Sequence, residues 1–141
     1  MNVSSLTLSL VAASCILAAL LHFACIPWGS EGYRFLGAGE EVAKAVASGD
    51  WRPHISAVVV GSVLLVGAAY ALSGAGFITG LPFLRPVLFT FAGVFLIRAV
   101  AFPFLRPIFS GNSDLFWVVS SAIVGILGLM FLIGAASIGK A

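Results

Sequence analysis

The stretch Leu115–Gly139, LFWVVSSAIVGILGLMFLIGAASIG, runs for 25 residues without a charged side chain. As a helix it would rise roughly 37 Å, more than the ~30 Å hydrocarbon core of a bilayer. A helix on a water-soluble core needs a polar stripe, and this stretch offers none on any face. Working toward the N-terminus, Val87–Leu105, Ile55–Leu72 and Leu6–Ile26 repeat the pattern, and only the third of the four segments in chain order holds a charge, Arg98. Each is near or above the roughly 18–20 residues that cross a membrane. The sequence therefore predicts an all-α protein, an integral-membrane four-helix bundle. It forms a single domain over 1–141 with spans at about 6–26, 55–72, 87–105 and 115–139.

Composition agrees. Of 141 residues, 61% are hydrophobic and 9% charged, against roughly 45–50% and 25% in soluble domains. A net charge of +2 with no Lys/Arg cluster leaves no basis for nucleic-acid binding. Cys15 and Cys25 stand ten residues apart on one segment, about 15 Å along a helix, too far to pair with each other. No CxxC supports a thiol oxidoreductase. The first segment reads as a span and not a secretory leader, because no Lys or Arg precedes it and the apolar run is long.

Two short repeats mark the ends of spans. Pro-Phe-Leu-Arg-Pro occurs at Pro82–Pro86 and Pro103–Pro107, bracketing the third span with an arginine at each membrane face. Proline there falls past a helix end or in a first turn, where a missing N–H is tolerated. Tyr-x-x-x-Gly-Ala-Gly occurs at Tyr33–Gly39 and Tyr70–Gly76. Without a preceding strand or a following Gly-Lys-Ser/Thr these glycines are turn and packing residues, not a phosphate loop.

The connecting segment 27–53 is the only long one, and its middle reads as a short amphipathic surface helix. Glu40, Glu41, Lys44 and Ser48 share a face opposite Val42, Ala43 and Val46, with an expected Glu40–Lys44 ion pair four residues apart. Its alanine-rich apolar side favours packing on protein over insertion in lipid.

With four spans, all five acids and all three tryptophans fall on the face of the first and third connections. Beneath it a polar layer is expected, drawn from His22, Tyr33, Arg98, Ser120 and Ser121 and approached by Glu31, Arg34, Glu40, Glu41 and Asp114. Arg98 is the sharpest signal. A charge within a span costs a few kcal/mol and faces a partner, a cavity or water. Glu31, Glu40, Glu41 and Asp114 are the acids within reach, an anionic ligand is another acceptor, and a helix ending early at Phe102–Pro103 would leave Arg98 in its last turn. His22 and Cys25 share a helix face, but too few further ligands accompany them for a metal site, and no metal or cofactor is expected. Ser120 or Ser121 with His22 forms a triad in composition only.

The segments His22, Tyr33–Glu40, Tyr70–Gly76 and Phe95–Arg98 together resemble a group of small bacterial four-span membrane proteins with no assigned activity. The resemblance implies a multi-pass inner-membrane protein and carries over no substrate or catalytic residue. Small multidrug-resistance exporters differ, since their first helix carries a glutamate and no span here holds an acid. The leading expectation is a non-enzymatic membrane protein whose polar pocket binds a small anionic or lipid ligand, or a partner subunit, through Arg98 and the first connection. An oligomeric transporter or channel is the alternative, and an enzyme acting on a lipid or quinone the third reading.

Overall fold

A computed structural model describes residues 3–139, which are helices joined by turns, with no strand among the described residues. In chain order the helices are α1 Val3–Trp28, α2 Ser30–Phe35, α3 Glu40–Ala47, α4 Arg52–Ala75, α5 Leu84–Val100, α6 Phe102–Leu105 and α7 Asp114–Ser137. Three of them, α1, α4 and α7, are long and apolar enough to cross a membrane. Their outward faces carry exposed Leu, Val and Ile, such as Leu17, Val59, Val63 and Ile126, a surface that water would penalise.

The third apolar segment has other helix bounds than expected. Helix α5 begins at Leu84 and stops at Val100, and its 17 residues rise about 25 Å, short of the ~30 Å core. The cause is Pro103, which lacks an N–H and disfavours continuous helix through the residue before it. The chain breaks at Ala101 and restarts as the single turn α6 with Pro103 near its N-terminus. Arg98 thus occupies the last turn of α5, where a cation complements the helix dipole. The first connection is corrected too, holding two short helices where one was expected.

Helices pack as two antiparallel pairs. In the first, Ser5 Oγ at the start of α1 donates to the Ala75 carbonyl at the end of α4, 2.9 Å away, and Phe23 lies on Gly61 further along. In the second, Phe91 of α5 stacks on Phe131 of α7 with centroids 5.4 Å apart, and Leu96 covers Gly128. Lipid supplies no hydrophobic drive between helices, so small residues that admit close contact do the joining. Gly67 receives the Phe91 ring and Gly134 the Leu8 side chain, linking one pair to the other.

Where the pairs meet, Leu8, Val11, Ala71, Leu88, Phe131 and Ala135 are wholly buried. This core lies toward the end that carries the α4–α5 connection. Buried Ser73 fastens that connection, accepting from the Leu81 N–H at 2.9 Å and donating to the Thr79 carbonyl at 3.2 Å.

The opposite end is closed by a clip between the first and third connections. The Glu40 N–H donates to the Ser110 carbonyl at 2.9 Å, and Asn112 Nδ2 donates to the Gly37 carbonyl at 3.0 Å. Gly37, at φ +76°, abuts the Phe116 ring so closely that a Cβ would overlap it. Only glycine satisfies both the left-handed backbone and the contact.

Candidate functional site

Beneath the clip a cavity of about 850 Å³ opens between the two helix pairs, within the size range of small-molecule sites. α1 contributes His22 and Cys25, α2 Tyr33, and α3 Glu41 and Val42. The N-terminal half of α4 supplies Ser56, Ala57 and Val60; across from it stand Arg98 of α5, Leu105 of α6 and Trp117 of α7. The lining is mainly apolar, with a few polar groups converging on it.

Arg98 is half-buried and lacks an acidic partner among the described residues. Its guanidinium carbon lies 5.4 Å from the centre of the Trp117 ring, a cation–π distance, and its Nη1 donates weakly to Ser121 Oγ at 3.5 Å. The acids expected to meet it are engaged elsewhere. Arg34 binds Glu40 with two bonds of 3.0 Å and also binds Glu31. Lys44 takes Glu41 at 3.1 Å, Arg52 takes Asp50 at 3.1 Å, and Arg106 takes Asp114. The Glu40–Lys44 pair expected from spacing is thus replaced, because the turn at Gly37–Gly39 brings Arg34 onto Glu40. The Arg34 hydrogen bond holds the Glu40 carboxyl below its usual range, and the Arg52 backbone N–H does the same for Asp50.

Trp117 is the second unusual group. It is 3% exposed, and its indole N–H is buried without an acceptor, a deficit of about 1–3 kcal/mol. The cavity wall therefore joins a cation without an acid to a donor without an acceptor.

His22 Nδ1 lies 2.7 Å from the Ala18 carbonyl. A carbonyl only accepts, so Nδ1 carries the proton and, in the neutral ring, Nε2 keeps its lone pair. Tyr33 is buried among Cys25 and Ala57, with its Oη 2.7 Å from His54 Nδ1. Burial, reinforced by Cys25, pushes the phenol above its ordinary range.

Of the residues expected in the polar layer, His22, Tyr33, Glu41 and Arg98 line the cavity, and Ser121 stands behind Arg98. Glu31, Arg34 and Glu40 form an ion-paired group outside it, and Asp114 pairs at the surface. Ser120 turns back to the Trp117 carbonyl at 3.3 Å. Sequence reasoning placed Trp117 on this face but missed it as a wall residue; its spacing of four from Ser121 was the available signal. It also missed Asn112 as a clip residue, a contact between segments distant in the chain.

Searches against protein-family profiles, curated proteins and solved structures found no match to this chain.

Proposed function

We propose that the protein is a four-span membrane protein, with α5 as the shortened fourth span, that binds a small anionic or lipid ligand beneath the clip. The observation that carries this reading is Arg98: it lines the cavity, and every acid among the described residues is paired with another cation. An unpaired charge at membrane depth favours an anionic partner, and the guanidinium fork suits a phosphate or carboxylate. Placement of that membrane as a bacterial inner membrane rests on the segment resemblance alone. The non-enzymatic reading is favoured because His22 and Tyr33 spend polar atoms on Ala18 and His54, supporting the wall.

Calorimetric titration of the purified protein in neutral detergent, with inorganic phosphate and with dodecyl phosphate, tests the reading. Binding of either, weakened about ten- to a hundredfold by Arg98→Met, is expected for loss of a charged hydrogen-bond partner. Absence of binding by both anions would overturn it.

A further inference from the structure

The seam between α4 and α5 is closed at one end of the molecule and open at the other. Gly67 of α4 is buried against Phe91 of α5, and Tyr70 Oη donates to the Pro82 carbonyl at 3.2 Å, fastening the α4–α5 connection to α4. Two turns toward the clip on the same side of α4, Val60 is 43% exposed, and one turn further Ser56 is exposed as well, although both line the cavity. The pairs therefore diverge toward the clip, α4 staying with α1 through Gly61 and Phe23, and α5 staying with α7 through Arg98 and Ser121. Above the cavity the connections are stitched together by the Glu40–Ser110 and Asn112–Gly37 hydrogen bonds. Apolar Val60 and Leu105 line the cavity together with Arg98, and the exposed flank of Val60 is where a sideways opening would lie.

We infer that this opening admits an anionic lipid from the side, its phosphate on Arg98 and an acyl chain in the cleft between α4 and α5. The inference rests on the proposed anion site and narrows its ligand to a membrane amphiphile. Three features select that class over a water-soluble anion. The wall is mainly apolar, the gap flanks Val60 on the apolar helix α4, and the cation sits in the last turn of α5, near the end of that helix. A free phosphate satisfies Arg98 equally well but leaves the apolar cleft facing water.

The test uses full-length protein carrying Trp28→Phe and Trp51→Phe, both exposed positions, so that Trp117 is the only fluorophore of its kind. It is placed in phosphatidylcholine nanodiscs containing either chain-brominated phosphatidic acid or chain-brominated phosphatidylcholine. Brominated phosphatidic acid should quench Trp117 several-fold more than the brominated neutral lipid. That preference should vanish in Arg98→Met, survive in Arg98→Lys, and fall in Val60→Phe, which narrows the gap at an exposed site. Equal quenching by the two lipids, or Val60→Phe without effect, overturns lateral entry. Should inorganic phosphate still bind in an Arg98-dependent way, the anion site itself stands; loss of both responses in the parent protein removes the site and the inference together.

Discussion

The Arg98 guanidinium sits over the Trp117 ring, 5.4 Å from its centre, joining the last turn of α5 to the first turn of α7. Cation–π contacts contribute about 0.5–2 kcal/mol, less than the cost of leaving the charge without an anion. The pair holds the arginine in place and leaves its hydrogen-bonding capacity for something else.

Trp117 provides the first test. Trp117→Phe keeps a ring beneath Arg98 and removes the unsatisfied N–H, so its stability should lie within about 1 kcal/mol of the parent. Trp117→Leu removes the ring and buried volume and should cost about 3 kcal/mol. Thermal unfolding in neutral detergent compares them, and equal damage by both would mean that the indole N–H makes a bond.

The clip should open when its stitches are cut. Asn112→Ala removes the bond to the Gly37 carbonyl, worth about 1 kcal/mol. Gly37→Ala forces both a Cβ onto Phe116 and a strained backbone, and should cost more. Hydrogen exchange at the Glu40 amide, which donates to Ser110, reads the result: exchange should accelerate in both variants, most in Gly37→Ala. Unchanged protection would show that the connections are held by other contacts.

The charge pairs predict a pH response. Glu40 and Asp50 have folded pKa values below their ordinary ones. Their contribution is present above the unfolded carboxylate pKa, near 4, and is lost as pH falls through the folded values. Protection of the Glu40 amide should therefore weaken on acidification below about pH 4, and Glu40→Gln should flatten that dependence. The effect should be small, since these groups are partly exposed and screened.

Glycines separate by neighbour. Gly134→Ala drives a Cβ into Leu8 and should destabilise by about 1–3 kcal/mol. Gly93→Ala on α5 meets nothing within 4 Å and should stabilise by up to about 1 kcal/mol through helix propensity. Opposite shifts in unfolding temperature are expected; the same sign for both would contradict the packing of the two pairs.

Charge-free runs made three helices legible from sequence, because length and apolarity alone identify them: 6–26, 55–72 and 115–139 lie within or nearly coincide with α1, α4 and α7. The third segment was legible only in part. Val87–Leu105 reads as one apolar run, while Pro103 divides it and shortens α5 from its C-terminal side. Ion-pair choice was not legible, since Glu40 lies four residues from Lys44 yet meets Arg34 across the Gly37–Gly39 turn. The surroundings of Arg98 depend on how α5 rotates against α7, and the near-uniform apolarity of both helices gives no stripe from which that rotation follows. Acids and aromatics at one face pointed to the end of the molecule where the cavity lies, and the partners there required the fold.

The most direct measurement is the change in Trp117 emission on titrating dodecyl phosphate into the Trp28→Phe, Trp51→Phe protein, with Arg98→Met and Arg106→Met compared on that background. Arg106 is a surface cation already paired with Asp114. Saturable binding that survives Arg106→Met and falls at least tenfold in Arg98→Met is the predicted result; binding indifferent to Arg98→Met, or weakened equally by both substitutions, would contradict an anion site built on Arg98.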